Sequence, residues 1–558
     1  MTITERRPER REEGSAPTHK VRFVTATTLF DGHDASINIF RRILQASGAE
    51  VVHLGHNRSG LEIVETAIQE DAQGIAVTSY QGGHMEFFRY LHDLLGEREC
   101  SHIRLFGGGG GTILPEEAQE LEAYGICRIY TPDDGRTMGL QGMVEDMLGL
   151  SDFPTGELDG ADISKLAVEN KRLTARLISA AENYPEKYLD LIEEITARAQ
   201  AVSSPVVGVT GTGGSGKSSL VDELVRRYLL DFPDRTIAVV SVDPSRRRSG
   251  GALLGDRIRM NSIVHPRAYM RSLATRRANL ALSPHVQSAV AICRASGYDL
   301  VVLETSGIGQ AGTEIVDHSD LSVYVMTPEY GAATQLEKTD MLDFADLVAI
   351  NKADKEGALD ALRDVRKQVR RNRLQFEGID EELPVHLTIA SQFNDPGTNR
   401  LYRAVMGAIG EKTGADFTSH LDLPVGPTDR QHVVPPERAR YLAEIVAEIR
   451  RYDAWADEQA EVADRLYRLR GAAGELGDPE GDGVDGALHQ LQEAIEELDR
   501  RLDGENRRML EEWEARTERY RADDYTYQVR GRRITVPLYH ETLSHTRIPK
   551  VALPRYRG

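Results

Sequence analysis

Two short runs in this sequence have the residue types and spacing to hold a nucleoside triphosphate. Gly211-Thr-Gly213-Gly214-Ser215-Gly216-Lys217-Ser218 satisfies G-x-x-x-x-G-K-[ST] in full. It follows VVGVT, a strand pattern, and precedes SSLVDELVRRYLL, a helix pattern. That is the context the motif requires. The glycines let backbone N–H groups turn toward phosphates, and the helix N-terminus adds a positive dipole end. In such a loop Lys217 reaches the β and γ phosphates, and Ser218, with Ser219 beside it, faces Mg²⁺. The second run, Asn351-Lys352-Ala353-Asp354, closes DLVAIN. A carboxylate there accepts both donors on the edge of guanine. Adenine lacks that donor pair, and unpaired polar groups of this kind discriminate by a factor on the order of 10⁴. Alone, N-K-x-D is a four-residue match that a solvated loop explains as well. Together the two runs predict GTP as the substrate.

Acids stand where a metal would be needed. Asp243 ends TIAVVSVD, and Glu304 ends DLVVLET. The carboxyl ends of parallel strands converge on the ligand crevice. Asp256 and Arg259 lie in GALLGDRIRM, a glycine-flanked segment expected to be mobile. Mg²⁺ takes hard oxygen ligands and keeps some waters. Ser218, Asp243, Asp256, Glu304 and Thr305 are the candidate shell, and Arg259 is a candidate phosphate contact. Lys217 and Glu304 are the candidates for catalysis. The strand-end motif common in GTPases is D-x-x-G; here it is Glu304-Thr-Ser-Gly307.

A third group lies near the N-terminus. Asp31-Gly32-His33 follows the first strand pattern. A neutral imidazole is a good ligand for a transition metal, and a nearby carboxylate fixes its tautomer. By itself this is no more than polar surface. Thr78-Ser79-Tyr80 ends a third strand pattern, however, and Gly107, Gly108 and Gly109 open a run of five glycines that ends a fourth. Such a run gives a slot free of side chains, in which a long ligand can lie against backbone.

These residues need parallel sheets to hold them. From Val21, short apolar runs (VRFVTATTL, EVVHL, GIAVTS, HIRLFGG, RIYTP) alternate with amphipathic stretches, in the first of which Ile39, Ile43 and Leu44 keep helical spacing. Strand and helix repeated about five times predict a parallel sheet with right-handed crossovers. A second series starts at Pro205, with VVGVT, TIAVVSV, DLVVLET, LSVYVMT, DLVAIN and VHLTIA as strands. The expected fold class is therefore α/β, two doubly wound parallel-sheet domains plus a helical linker. The expected order is a polar leader over 1–20, a first α/β domain over 21–150 and a helical connector over 151–204. A P-loop domain over 205–415 and a helical linker over 416–524 follow, then an extended basic stretch over 525–558. In the linker Leu442, Ile445, Val446 and Ile449 form an i, i+3, i+4, i+7 stripe.

The whole chain has 558 residues, with 68 Lys and Arg against 88 Asp and Glu, for a formal charge of −20. That acidity argues against general affinity for nucleic acid or anionic membranes, although Arg246-Arg247-Arg248 is locally basic. Three scattered cysteines and no CxxC pair point to a reducing compartment. A cytoplasmic protein is expected.

The motifs also carry resemblances. Asp243-Pro244-Ser245, then Gly250-Gly251-Ala-Leu-Leu-Gly255-Asp256-Arg-Ile-Arg259-Met260, then Glu304-Thr305-Ser-Gly307-Ile-Gly309-Gln310 resemble the G-protein chaperones of cobalamin-dependent acyl-CoA mutases. The likeness implies a GTPase that gates cofactor delivery to a mutase. Asp31, His33 and the glycine run resemble the cobalamin-binding domain of those mutases, a flavodoxin-like fold. That likeness implies that His33 ligates cobalt of adenosylcobalamin and that the nucleotide tail enters the slot past Ser36, Thr78, Tyr80 and Gly107–Gly109. Here the chain departs from the D-x-H-x-x-G and S-x-L pattern, with Ser36 for glycine, Thr78 for serine and Tyr80 for leucine. The module order resembles the fused isobutyryl-CoA mutase family, and Glu541 through Pro554 looks like the start of that family's substrate barrel. This implies an acyl-CoA substrate handled by a barrel, and a homodimer or a partner mutase subunit. A methylmalonyl-CoA mutase relative, or a cobalamin-responsive regulatory GTPase without isomerase activity, are the alternatives.

Overall fold

The computed structural model describes residues 17–558 except 159–161, 247–248, 277–281, 308–312, 332–335, 337–338, 375–378, 380–381, 425, 427, 429–439, 477–484, 530–531, 543–544, 555 and 557–558. Most of the 1–20 leader, two of the three arginines at 246–248 and the Ile308-Gly309-Gln310 end of the Glu304 motif therefore lie outside the described residues. Two compact units are present, residues 1–431 and 432–558.

In the first unit β1 (Arg22–Thr28), β2 (Glu50–Arg58), β3 (Gly74–Thr78), β4 (Arg104–Gly108) and β5 (Arg128–Tyr130) form a parallel sheet in the order β5-β4-β3-β1-β2. This is the flavodoxin-like order, which places ligands at the carboxyl edge beside β1 and β3. Its strands read as near-continuous apolar runs because helices cover both faces. Helix Ala35–Ala46 buries Leu44 and packs Ile43 against the core as expected, but Ile37 takes the inner position and Ile39 is 45% exposed.

A second sheet holds β6 (Val206–Gly211), β7 (Ile237–Asp243), β9 (Ala268–Ala274), β10 (Leu300–Glu304), β11 (Leu321–Met326), β12 (Leu347–Asn351) and β13 (Val385–Thr388). Its order is β13-β12-β11-β6-β10-β7-β9. The edge strand β9 is absent from the sequence expectation. A charged residue, Arg271, interrupts its apolar pattern, and Glu182 pairs with that guanidinium at 2.7 Å in the interior.

Two expectations need correction. Residues 252–254 of the glycine-flanked segment are not a free loop. They form β8 (Ala252–Leu254), which pairs parallel to β2 with Glu50 opposite Ala252 and Val52 opposite Leu254. A segment of the P-loop series thus becomes the sixth strand of the N-terminal sheet. The 151–204 stretch is helical, over Lys171–Asn183 and Leu189–Gln200, but it is not merely a connector. Leu173, Leu177, Ile178, Ile195 and Ala199 share one buried cluster with Val206, Val301 and Ile292 of the second domain.

The second unit contains helices Tyr441–Glu475, Asp485–Arg501 and Gly504–Arg521. Val462, Leu466, Leu498 and Leu502 form its buried cluster. The Leu442, Ile445, Val446 and Ile449 stripe is exposed. The basic stretch forms two antiparallel pairs, β14 (Asp524–Val529) with β15 (Arg532–Pro537) and β16 (Tyr539–Glu541) with β17 (Arg547–Pro549). Among the described residues no helix is long and apolar enough to cross a membrane.

Candidate functional site

The first site is a cleft of about 530 Å³ where β6, β7 and β10 end. Gly213, Gly214, Gly216, Lys217, Ser218, Ser219, Asp243, Asp256, Arg259, Glu304, Thr305 and Lys352 line it. Gly211 turns the chain out of β6 at φ +152°, and a Cβ there would lie 1.9 Å from the Val325 carbonyl oxygen. Only glycine fits that close approach. Lys217 opens the helix Lys217–Asp231, and its Nζ donates to the carbonyls of Gly211 at 3.1 Å and Thr212 at 3.3 Å. Burial pulls the ammonium below its usual range against the opposing charge of Glu304 and Asp256.

The acids meet at Ser218. Its Oγ lies 2.9 Å from Asp256 Oδ1 and 2.8 Å from Glu304 Oε1. A serine hydroxyl has one proton, so it donates to one carboxylate at a time. Burial first, then the charge of Asp256, push the Glu304 carboxyl well above the usual carboxylate range. Asp243 is raised for the same two reasons, although the Gly255 N–H donates to it at 3.0 Å. Glu304 Oε2 is buried with no hydrogen-bond partner. A cluster of this kind fits a cation: opposite charge relieves the repulsion, and an orphaned oxygen gains a ligand. Among the described residues no three His, Cys, Asp or Glu side chains enclose an ion by themselves. A hard ion here would complete its shell with the serine, waters and phosphate oxygens, as Mg²⁺ does. Thr305 lines the cleft, but its hydroxyl donates to Thr210 at 2.8 Å. Arg259 Nη1 lies 3.5 Å from Asp256 Oδ1.

The Asn351 run divides into a braced part and an exposed end. Asn351 Nδ2 donates to the Ser215 carbonyl at 2.8 Å, and its Oδ1 accepts from the Ala390 N–H at 3.0 Å. Lys352 Nζ donates to the Gly214 carbonyl at 2.7 Å. The Ala353 N–H donates to the Thr388 carbonyl at 3.1 Å. Asp354 is exposed, beyond the braced residues. Ser306, which lines the cleft, and Ser241, buried behind it, are not singled out by the sequence. Ser241 Oγ donates to Asp256 Oδ2 at 2.6 Å. It lies two residues before Asp243 on β7, so strand alternation alone puts both side chains on one face.

The second site is a slot of about 230 Å³ at the carboxyl edge of the first sheet. Ser36, Thr78, Tyr80, Gly107, Gly108 and Gly109 line it, together with Phe40, Tyr130, Met143 and Met147, which the sequence did not single out. A Cβ on Gly109 would lie 2.0 Å from the Ser79 carbonyl oxygen. Thr78 Oγ1 is buried and has no hydrogen-bond partner. A smooth apolar floor with an unsatisfied hydroxyl fits a long ligand that carries a polar group. Ser36 Oγ and Tyr80 OH are 2.5 Å apart.

Asp31 and His33 connect to this slot through Tyr80, whose ring centroid is 5.8 Å from that of His33. The Tyr80 N–H donates to Asp31 Oδ2 at 2.6 Å, and His33 Nδ1 lies 2.8 Å from Asp31 Oδ1. Burial alone would raise the Asp31 carboxyl; the backbone donors of Tyr80 and His33 and the His33 ring hold it below its usual value. An ionised Asp31 accepts from Nδ1–H and leaves Nε2 with its lone pair free. The His33 side chain is 77% exposed, so that lone pair is reachable.

Two family models match the chain. Residues 21–134 match the family model described as B12 binding domain, and residues 174–408 match that of the methylmalonyl Co-A mutase-associated GTPase MeaB. The latter begins inside the helix Lys171–Asn183, in keeping with the shared core. The fused isobutyryl-CoA mutase of Geobacillus kaustophilus is 50% identical over 549 residues, 97% of this chain and 50% of that protein. That of Cupriavidus metallidurans is 50% identical over 97% of this chain and 49% of its own length. That of Nocardia farcinica is 46% identical over 97% of this chain and 50% of its own. The chain spans about half the length of these curated relatives. It is a homologue of the fused isobutyryl-CoA mutases and carries a B12-binding domain followed by a MeaB GTPase domain.

Proposed function

We propose that this chain is the GTP-hydrolysing, adenosylcobalamin-carrying portion of an acyl-CoA mutase of the isobutyryl-CoA type, in which the GTPase acts as chaperone for the cofactor. The observation that carries this reading is the presence of both sites, the phosphate-loop cleft and the glycine-floored slot with its Asp31–His33 pair, in one compact unit. In the cleft, Lys217 and the loop N–H groups hold the phosphates, Asp354 takes the guanine edge, and Ser218, Asp243, Asp256 and Glu304 hold Mg²⁺. Bound Mg²⁺ supplies charge neutralisation at the phosphate oxygens. In the other site, His33 Nε2 is the cobalt ligand, Asp31 fixes its tautomer, and Ser36, Thr78 and Tyr80 meet the tail in the slot. Bound adenosylcobalamin supplies the radical chemistry of rearrangement. The acyl-CoA substrate, a homodimer or partner mutase subunit, and a cytoplasmic location belong to the same proposal. So does the assignment of 21–150 and 205–415 as the two ligand-binding domains.

Phosphate release from GTP and cobalamin titration of the chain test the reading. Wild type should release phosphate only with Mg²⁺ present. Lys217→Ala and Ser218→Ala should each abolish release, because each removes stabilisation of charge on the phosphates. Cobalamin should bind saturably. Release that is unchanged in both variants, or a chain that ignores cobalamin, would overturn the assignment.

A further inference from the structure

The segment Ala252–Arg259 belongs to both domains. Its first residues form β8 in the N-terminal sheet, and its last form a short 3-10 helix, Asp256–Arg259, at the rim of the nucleotide cleft. Adjacent residues of that turn point opposite ways. Asp256 faces Ser218 and Ser241 in the cleft. Arg257 is 5% exposed and faces the N-terminal domain. Its Nη1 donates to Glu70 Oε1 at 2.9 Å and to the Met270 carbonyl at 3.1 Å, and its Nη2 donates to Gln69 Oε1 at 2.5 Å. Gln69 ends the helix Gly60–Gln69, and Glu70 follows it.

Glu70 reaches the cleft by a second route as well. Its carboxylate accepts from Ser272 N at 3.1 Å and from Ser272 Oγ at 2.9 Å. Ser272 lies on β9, directly opposite Ser241 of β7, whose hydroxyl holds Asp256. Gln69 Oε1 also accepts from the Met270 N–H at 3.2 Å. The same end of one helix therefore grips both elements that aim the Asp256 carboxylate.

We infer that Gln69 and Glu70, in the cobalamin-binding domain, are positioning residues for the metal-bound nucleotide site of the GTPase domain and act through Arg257. The inference rests on the GTPase reading proposed above. Neither residue touches the cleft. A buried guanidinium with a carboxylate, an amide and a carbonyl as acceptors has one arrangement and little freedom to leave it, because an unpaired buried charge is costly. Losing the grip frees the turn, and Asp256 then meets the metal less well. Nucleotide contacts made by the phosphate loop and Asp354 stay as they are.

The test is GTP turnover by the full chain as a function of Mg²⁺ concentration at saturating GTP, for wild type, Glu70→Ala, Glu70→Gln and Gln69→Ala. The Mg²⁺ concentration for half-maximal rate should rise by at least about tenfold in Glu70→Ala, the scale of the charge-assisted hydrogen bond to Arg257 alone, since the carboxylate also accepts from Ser272 and Arg22. Glu70→Gln, which keeps an acceptor oxygen, should restore part of that shift. Gln69→Ala, which removes the neutral acceptor shared by Arg257 Nη2 and the Met270 N–H, should raise the midpoint by about threefold. GTP affinity in EDTA should stay within about twofold of wild type in all three, since the phosphate loop is untouched. A purely structural role lowers the fraction of active protein and the maximal rate but leaves the Mg²⁺ midpoint in place. If Glu70→Ala does not accumulate in folded form, Glu70→Gln and Gln69→Ala decide the matter. Wild-type midpoints in those two variants would overturn this inference alone. A wild-type chain that releases no phosphate would overturn the GTPase reading and this inference with it.

Discussion

Asn351 Nδ2 donates to the Ser215 carbonyl at 2.8 Å, so the end of β12 is tied directly to the phosphate loop. The other face of the same side chain accepts from Ala390, on the loop after β13. Asn351 is thus the knot between three loops, whereas Asp354 is exposed and has no part in it. Nucleotide choice and loop order should separate accordingly. Asp354→Asn should relax the preference for GTP over ATP by 10²-fold or more, on the order of discrimination lost when a bidentate hydrogen-bond partner is removed. Asn351→Ala should weaken both nucleotides and lower the melting temperature, because it orphans buried backbone groups. Calorimetric titration of wild type and both variants with GTP and ATP checks this. Equal affinity of the wild type for both nucleotides would refute the guanine assignment.

The second expectation concerns His33. Asp31 is buried and lies 2.8 Å from Nδ1, which leaves Nε2 for the cobalt proposed above. Bound cobalamin should show the spectrum of a histidine-ligated form, and ¹⁵N-histidine should split the electron paramagnetic resonance signal of the Co(II) state. His33→Ala should remove both effects while tail contacts in the slot retain some affinity. Asp31→Asn should weaken cobalamin binding by about 10- to 100-fold, the usual effect of losing a partner that orients a ligand. A spectrum in His33→Ala identical to wild type would rule out axial ligation.

The legibility of these sites in the sequence follows from how local their causes are. β6 and Gly211–Ser218 were readable because a buried strand, a glycine turn and a helix start are consecutive in the chain. Asp31, His33 and the glycine run were readable for the same reason, each lying just past an apolar strand. β9 was not, because the partner that lets Arg271 sit inside a sheet is Glu182, on a helix 89 residues earlier. β8 was not either. It is three residues long, follows two glycines, and takes its register from Glu50 to Val52, some two hundred residues upstream. The stretch over 171–200 had a legible helical period, yet period alone does not say which sheet the stripe covers.

Acid should unfold the chain through the ion network between the domains. Glu50 accepts from Arg22 Nη2 at 2.7 Å and from Arg276 Nε at 2.9 Å. Burial alone would raise this carboxyl, but Arg276 and Arg22 overcome it and hold it far below the usual carboxylate range. Its folded value is therefore depressed. The stability it contributes is fully present above the unfolded value of about 4.3 and is lost as pH falls from there toward the folded value. The part of the thermal midpoint that Glu50 contributes, read as wild type minus Glu50→Gln, should be level from pH 7 to 5 and shrink from about pH 4.3 downward. Glu50→Gln should lower the midpoint at pH 7, where it leaves the buried Arg22 and the half-buried Arg276 guanidinium groups short of a partner, and should make the fall below pH 4.3 shallower. An equally steep acid limb in that variant would show that the network is not what titrates.

The two ligand sites should also be coupled energetically. β8, which leads into Asp256, pairs with β2, and β2 pairs with β1, the strand that leads to Asp31 and His33. The path from Asp256 to the proposed cobalt ligand thus runs from Leu254 to Val52, across to Val24, and then along β1 to Asp31 and His33. GTP and GDP differ by the γ phosphate, which Mg²⁺ and the acids around Ser218 sense, and segments that order around it are a common two-state element. If one nucleotide state favours cobalamin, cobalamin must favour that state to the same degree, because coupling between binding sites is reciprocal. Typical couplings of about 1–3 kcal/mol correspond to changes in affinity of roughly 5- to 150-fold. Asp256→Ala should shrink the effect, since the residue that links the metal to β8 is gone, and Glu70→Ala should shrink it by loosening the same turn. The measurement is the cobalamin affinity of the chain with a non-hydrolysable GTP analogue, with GDP and with no nucleotide. Three equal affinities would mean that the shared strand joins the domains without carrying information between them.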